Sequence, residues 1–203
     1  MRQPVRTAVL ISGRGSNLAA LADACRAPDY PADIVLVISN RADAPGLGTA
    51  RERDLPVRII PHKNFASRED FDAAVDEALR QADTSLICEA GFMRIHSEWF
   101  VRRWEGRILN IHPSLLPAFP GIRVHEQALA AGVKVSGCTV HFLTAELDSG
   151  PIIAQAAVPV LPDDTPELLG ARVLAEEHKL YPEALRLVAE GKVRLQNGRA
   201  VFC

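Results

Sequence analysis

Cysteine is scarce in this 203-residue chain, and its four cysteines form no CxxC pair. A chain of this length folds without a disulfide framework, and the closely spaced Cys and His ligands of a structural zinc site are missing. Free thiols in a reducing compartment are therefore expected at all four positions, which are Cys25, Cys88, Cys138 and Cys203. This pattern predicts a cytoplasmic protein.

Long apolar runs and blocks of like charge are also lacking. No stretch reaches the roughly 18 consecutive apolar residues of a transmembrane helix, and the apolar run near the N-terminus is too short for a signal peptide. The formal net charge is −2, and the charges are spread along the chain, which argues against nucleic acid as a partner. The expected partners are small molecules, with neither a membrane nor a nucleic acid among them.

The first half of the chain alternates short apolar runs with longer amphipathic runs. Near-continuous apolar strands separated by helices are typical of a parallel sheet covered on both faces. The predicted strands are 7–12, 34–39, 57–60, 85–88 and 107–111, and the predicted helices are about 17–27, 46–54, 67–82 and 97–104. Asn17, Ser67 and Ser97 suit the N-cap positions of three helices. The sequence therefore predicts an α/β fold with a doubly wound, mostly parallel sheet and helices on both faces.

The second half changes character. Strand-like runs at 135–143 and 150–160, joined by a short loop, predict an antiparallel C-terminal strand region. A long helix is predicted over about 166–190, with Thr165 as its N-cap and proline at its first position. Pro182 inside this helix is expected to kink it or to split it in two. Near the C-terminus, the dipeptide Asn-Gly between two short apolar runs predicts a two-residue hairpin.

A glycine loop, ISGRGSN at 11–17, lies between the first predicted strand and the first predicted helix. Gly13 and Gly15 allow close approach of the backbone to a ligand, and the helix N-terminus with Ser16 and Asn17 supplies donors for a phosphate. The third glycine of a dinucleotide fingerprint and the lysine of a Walker A loop are both missing, which favours a monophosphate. A tight turn that needs glycine only for its backbone angles is an equal interpretation.

The stretch ILNIHPSLLPAFPG at 108–121 begins like a buried strand and ends in a loop stiffened by three prolines. Asn110 and His112 are two residues apart and so share one face of the strand. At the carboxyl end of a parallel strand they would border the crevice where open α/β sheets bind ligands. An amide donor beside an imidazole can stabilise a developing oxyanion and move a proton. The competing interpretation is an asparagine that satisfies the strand end beside a surface histidine.

Two further segments are weaker candidates. Asp148 lies in a turn, where its carboxylate either orients His112 or acts only as an Asx cap. The segment 90–96 follows the fourth predicted strand, so its apolar residues and Arg94 either wall a flat aromatic ligand or form a plain connection. No set of histidines matches the spacing of a metal site, and no metal is expected.

Five motifs together resemble phosphoribosylglycinamide formyltransferases. They are GRGSNL, AGFMRI, ILNIHPSLLPAFPG, LDSGPII and EEHKLYP, in the order seen in that family and spread over about residues 6–190. The resemblance implies a formyltransferase-like fold and transfer of a formyl group from 10-formyltetrahydrofolate to the amine of 5′-phosphoribosylglycinamide in purine biosynthesis. It implies one domain over 1–203, with a ribonucleotide-binding half at about 1–104 and a catalytic and folate-binding half at about 105–203.

The site residues of the family carry over to matching positions of this sequence. The implied catalytic residues are Asn110, His112 and Asp148. The implied ribonucleotide-binding residues are Gly15, Ser16, Asn17 and Glu177. The implied folate-binding residues are Arg68, Met93, Arg94, Ile95, His96, Asn110, Thr144, Ala145, Glu146 and Leu147. His96 stands where relatives often carry an apolar residue, a change that a backbone contact to folate would tolerate.

Three other functions share part of this motif set. A formyltetrahydrofolate hydrolase would use the same Asn-His-Asp group with water as acceptor, but such relatives usually carry an extra N-terminal domain. A methionyl-tRNA formyltransferase would need a C-terminal RNA-binding domain and a more basic chain. A non-catalytic mononucleotide-binding module would explain the glycine loop but would leave Asn110 and His112 without a role. The sequence also leaves open a homodimer formed through an exposed apolar helix face.

Overall fold

A seven-stranded sheet forms the centre of the protein in the computed structural model, which describes residues 3–203. Its strands are Val5–Ile11 (β1), Ala32–Ser39 (β2), Val57–Ile59 (β3), Leu86–Glu89 (β4), Ile108–His112 (β5), Val135–Phe142 (β6) and Ile152–Pro159 (β7). Their spatial order is β3-β2-β1-β4-β5-β6-β7. The first five strands are parallel, while β6 runs antiparallel to both β5 and β7. The predicted parallel sheet and the antiparallel C-terminal strand region are both confirmed.

Helices cover both faces of this sheet, as the sequence predicts. They are Ser16–Cys25 (α1), Gly46–Arg51 (α2), Arg68–Gln81 (α3), Glu98–Arg103 (α4), Val124–Ala130 (α5) and Pro166–Ala189 (α6). One hydrophobic core joins the sheet to α1, α2, α5 and α6, and a second core joins the opposite face to α3 and α4. Burying apolar surface on both faces requires strands that are apolar along most of their length, which is the pattern of β1, β2 and β4.

The helix N-termini confirm three of four predicted caps. The hydroxyls of Ser67, Ser97 and Thr165 accept hydrogen bonds from backbone N–H groups in the first turns of α3, α4 and α6. The prediction for Asn17 is wrong, because the N-cap residue of α1 is Gly15. Gly15 has a φ of 77°, in the left-handed region that glycine adopts without a Cβ penalty. The cap of α1 is therefore a glycine turn, and the Asn17 side chain is free for another contact.

The helix α6 runs without a break through Pro182, so of the two predicted outcomes the split is wrong and the kink stays a prediction. A proline inside a helix removes one backbone hydrogen bond, but most helical stability in proteins comes from packing of an apolar face. The buried face of α6 extends on both sides of Pro182, from Leu169 to Leu185. In addition, the hydroxyl of Tyr30 donates a hydrogen bond of 2.6 Å to the carbonyl of Pro182. These contacts hold the helix in one piece.

The predicted C-terminal hairpin is confirmed. Its strands Val193–Gln196 (β8) and Arg199–Phe202 (β9) form a separate two-stranded sheet. Asn197 and Gly198 between them both have positive φ angles, 52° and 71°, as a tight hairpin turn demands. Within residues 3–203, no helix is both long enough and apolar enough to cross a bilayer.

The order of the strands creates a crevice at one edge of the sheet. From β1 the chain proceeds outward through β2 and β3 and then returns to the other side of β1 as β4. Ligands of open α/β sheets bind at such a reversal point, outside the carboxyl ends of the strands. The glycine loop after β1 and the segment 91–96 after β4 flank this point, and β5 ends beside them.

Candidate active site

A cavity of about 510 Å³ lies beside the carboxyl ends of β4 and β5. Its walls come from four segments, which are 91–96, 110–113, 121–124 and 143–148, together with Glu89 and Val101. The structure therefore brings together the three predicted catalytic residues and every predicted folate-binding residue except Arg68. The proline-stiffened loop after β5 contributes one wall, in agreement with the sequence-based prediction.

His112 is held from both ring nitrogens. Its Nε2 lies 2.9 Å from the carbonyl oxygen of Phe119, and its Nδ1 lies 3.5 Å from Oδ1 of Asp148. Because both nitrogens face acceptors, the protonated ring is the form that can donate to both. Phe119 has a left-handed φ of 54°, and the hydroxyl of Ser114 also donates to its carbonyl. Such strained positions concentrate at functional sites, and here the strain directs a carbonyl at His112.

Asp148 is fixed between His112 and the proline-stiffened loop. Its Oδ2 accepts a hydrogen bond of 2.7 Å from the backbone N–H of Gly121, and its side chain is only 7% exposed. Its φ of 49° is left-handed, a conformation that Asp tolerates better than most residues. Spacing alone leaves the position of Asp148 open, and the fold places it beside His112.

Asn110 is oriented by a histidine that sequence reasoning did not connect with it. The Nδ2 of Asn110 lies 3.3 Å from Nε2 of His141, whose Nδ1 lies 3.0 Å from the carbonyl oxygen of Phe142. Burial lowers the pKa of His141, although the Phe142 carbonyl opposes this shift. The neutral ring then donates through Nδ1 and accepts from Asn110 through Nε2. The second N–H of the amide remains available to a ligand.

A residue of the glycine loop contacts a residue that lies 160 positions later in the sequence. The Nδ2 of Asn17 donates a hydrogen bond of 2.7 Å to Oε2 of Glu177, and both residues are buried. Burial raises the pKa of Glu177, while the hydrogen bond from Asn17 opposes the increase. The Oδ1 of Asn17 is buried and has no hydrogen-bond partner among residues 3–203. The predicted ribonucleotide-binding residues Asn17 and Glu177 thus form one polar pair at the end of β1.

This polar pair lies outside the cavity, but the two regions are directly linked. The hydroxyl oxygen of Ser12 accepts a hydrogen bond of 2.8 Å from the backbone N–H of Met93, and the backbone N–H of Ser12 donates to the carbonyl of Gly91. Arg68 does not line the cavity, and it is exposed at the first residue of α3. Its contact with a folate therefore stays a prediction.

Sequence reasoning also missed Asp72 and Glu89, which lie behind the 91–96 wall. In that wall, Met93 and Ile95 are exposed large apolar side chains, whereas His96 is buried and contacts Asp72 and Glu89. The signal that could have found Glu89 is a carboxylate at the end of an otherwise apolar strand. No group of three or more His, Cys, Asp or Glu side chains in residues 3–203 is arranged to hold a metal ion.

Comparison with known proteins gives the family. Residues 5–185 match the family described as Formyl transferase. The chain is 56% identical over 195 residues to the trifunctional purine biosynthetic protein adenosine-3 of Bos taurus, covering 96% of this chain but 19% of that protein. It therefore spans about a fifth of the length of that relative. It is 43% identical over 192 residues to phosphoribosylglycinamide formyltransferase of Escherichia coli (strain K12), covering 95% of this chain and 91% of the relative.

A solved structure agrees with these sequence matches. Glycinamide ribonucleotide transformylase 1 from Symbiobacterium toebii superposes with a TM-score of 0.95 at 51% identity, covering 98% of this chain and 94% of that one. The matched region includes β1 to β7 and contains every side chain described at the cavity and at the glycine loop. The chain belongs to the formyl transferase family.

Proposed function

We propose that this chain transfers the formyl group of 10-formyltetrahydrofolate to the amine of 5′-phosphoribosylglycinamide, in purine biosynthesis. The observation that carries the proposal is the convergence of Asn110, His112 and Asp148 on one cavity, next to a glycine loop suited to a phosphate. The names of the relatives support the same reaction. The four free cysteines support a reducing, cytoplasmic setting.

The first step places negative charge where this site has donors. The neutral amine attacks the formyl carbon, a C–N bond forms, and the carbonyl oxygen becomes an oxyanion. The free N–H of Asn110 donates to that oxygen. The 3.5 Å separation leaves the Nδ1–H of His112 only loosely bound to Asp148, so the oxyanion can share it. Donors fixed in advance stabilise such an intermediate without reorganisation.

The second step moves one proton and breaks one bond. The attacking amine loses a proton, the bond between the formyl carbon and N10 of the folate breaks, and N10 gains a proton. Asp148 orients His112, accepts the amine proton directly or through a water, and passes it on to N10. Its carboxylate can do this because its orientation is fixed by the N–H of Gly121.

The two substrates occupy adjoining regions. The phosphate of the ribonucleotide binds the amides of Gly15, Ser16 and Asn17 at the N-terminus of α1, and Glu177 accepts from an N–H or O–H of the same substrate. The folate binds in the cavity against residues 93–96 and 144–148, where Met93 and Ile95 offer apolar surface.

The test is a turnover assay with and without the ribonucleotide. Purified protein is mixed with 10-formyltetrahydrofolate, and tetrahydrofolate and formate are followed together with the mass of the ribonucleotide. Tetrahydrofolate formation that requires the ribonucleotide and adds one formyl group to it is the expected result. Equal turnover without the ribonucleotide, with release of formate, would make the chain a hydrolase. Binding of the ribonucleotide without any turnover would make it a binding module.

Replacing Gly15 tests the glycine loop. A Cβ at Gly15 would lie 2.6 Å from Cα of Gly46, and the φ of 77° disfavours any side chain. Gly15→Ala is therefore expected to lower the free energy of unfolding by about 1 kcal/mol or more and to raise KM for the ribonucleotide with little effect on KM for the folate. Urea unfolding and steady-state kinetics measure both. Gly13→Ala is the stability control, because a Cβ there meets nothing within 4 Å.

A further inference from the structure

A buried trio of charged side chains lies behind the cavity wall. The Nδ1 of His96 is 2.8 Å from Oδ1 of Asp72, and its Nε2 is 2.7 Å from Oε1 of Glu89. The three side chains are between 1% and 4% exposed. The imidazole is stacked between Phe92 and Phe100, with ring centroids at 5.3 and 4.3 Å. The trio connects α3, β4 and the segment 91–96.

The geometry fixes the charge of the trio. A neutral imidazole has a single N–H, so only the imidazolium can donate to both carboxylates. Burial by itself lowers the pKa of His96, but the hydrogen bonds to Asp72 and Glu89 outweigh burial and raise it to about 9. The aromatic rings of Phe92 and Phe100 stack on the imidazole, and the charged groups that act on the pKa of His96 are Asp72 and Glu89. One cation between two carboxylates leaves a surplus negative charge.

The two carboxylates differ in the number of oxygen atoms that remain free to accept a hydrogen bond. Asp72 uses both oxygens inside the protein, because its Oδ2 also accepts a hydrogen bond of 2.6 Å from the backbone N–H of Ser97. Glu89 gives Oε1 to His96, and no hydrogen bond within residues 3–203 involves its Oε2, so this oxygen is left to the cavity that Glu89 lines. Glu89 borders the cavity and is paired with Asn110 in the β4–β5 ladder. The acceptor that the trio leaves free is therefore Oε2 of Glu89, and it is available to a ligand in the cavity.

We propose that Glu89 is a specificity-determining residue of this cavity, which accepts a hydrogen bond from an N–H group on the ring of the formyl donor, and that His96 and Asp72 are positioning residues for its carboxylate. This inference rests on the proposed function, since tetrahydrofolates carry N–H groups along their bicyclic ring. A ligand without a matching donor would leave a desolvated carboxylate unpaired, which disfavours binding strongly. The apolar wall alone would accept any flat ring, and Glu89 makes it selective.

The test measures binding separately from turnover. The Kd of tetrahydrofolate is determined by calorimetry for the parent chain, Glu89→Leu and Glu89→Gln, together with KM for each substrate. Glu89→Leu is expected to weaken folate binding roughly 10- to 100-fold, the usual effect of losing a hydrogen bond to a charged group, while KM for the ribonucleotide changes less than about twofold. Glu98→Gln is the matched control, since Glu98 is exposed on α4 and pairs with Arg102.

The positioning role has its own measurement. As the pH rises through about 9, His96 loses its charge, and the Kd of tetrahydrofolate for the parent chain is expected to rise. A His96→Gln variant, which has no titrating ring, is expected to bind more weakly below that pH and to lose this pH dependence. A pH dependence in His96→Gln equal to that of the parent chain would remove His96 from the proposal.

Each outcome separates the inference from the proposed function. A folded Glu89→Leu that binds tetrahydrofolate like the parent chain overturns the role of Glu89 even if formyl transfer is observed. If Glu89→Leu fails to fold, Glu89→Gln keeps the shape without the charge, and an unchanged Kd in that variant overturns the role equally. If the parent chain shows no transfer, the proposed function fails, whereas the comparison of Kd values still decides the role of Glu89.

Discussion

An Asp148→Asn variant is expected to fold like the parent chain and to lose about 10²- to 10⁴-fold in kcat/KM, the usual contribution of acid–base catalysis. Asn is the closest replacement, because it tolerates the left-handed φ of 49° at this position. The amide oxygen of the new side chain can still accept a hydrogen bond from the N–H of Gly121. In that orientation the NH₂ group of the amide points toward Nδ1 of His112. A donor in that place cannot accept the Nδ1–H of His112. The variant would therefore lose both the acceptor that orients His112 and the proton acceptor.

The control for this variant is another aspartate with the same backbone conformation. Asp54 has a φ of 56°, is exposed and does not line the cavity, so Asp54→Asn should have the kinetics of the parent chain. Steady-state kinetics with both substrates and circular dichroism are the measurements. A folded Asp148→Asn variant with unchanged kcat/KM would remove Asp148 from the mechanism.

An Asn110→Ala variant is expected to lose about 10²- to 10³-fold in kcat, the typical effect of removing one oxyanion donor. The KM values should change much less, because the interaction with the oxyanion is made only in the transition state. The substitution removes the N–H donor and also the partner of His141 Nε2. Stability should fall only slightly, because Asn110 is partly exposed to the cavity.

Asn110→Asp sharpens the same test. The aspartate keeps the shape of the side chain but puts an acceptor where the oxyanion develops, so the loss in kcat should be at least as large as in Asn110→Ala. Asn64→Ala, at an exposed position outside the site, is the control and should leave kcat unchanged. Activity of Asn110→Asp close to that of the parent chain would show that Asn110 is not an oxyanion donor.

The fold could be predicted where local sequence determines structure. The inner parallel strands, such as β4 and β5, are buried and form apolar runs in the sequence. Ser67, Ser97 and Thr165 cap helices through contacts within one turn. The helix α5 was not predicted, because seven residues with two buried side chains give too little periodicity. The split at Pro182 was wrong because tertiary packing outweighed a local penalty.

The site could be predicted only in part, for a related reason. Asn110 and His112 are two residues apart on one strand, so their shared face follows from strand geometry. The contacts between Asn17 and Glu177, and between His96 and Asp72, join distant parts of the chain and depend on the packing of helices against the sheet. The pairing of Asn110 with His141 depends on the register between β5 and β6. Such contacts appear only once the fold is complete.

The hydrogen bond between Ser12 and Met93 joins the glycine loop to the wall of the cavity. In the proposed function, the loop that Ser12 begins binds the phosphate and the wall that contains Met93 binds the folate, so this contact would couple the two substrates. A substrate that immobilises one of these segments also restricts the other, and so reduces the entropy that the second substrate must remove. By linkage, the first substrate then strengthens binding of the second by the same factor as the second strengthens the first. The hydrogen bond from the Met93 N–H to the Ser12 hydroxyl would thus make binding of the two proposed substrates cooperative.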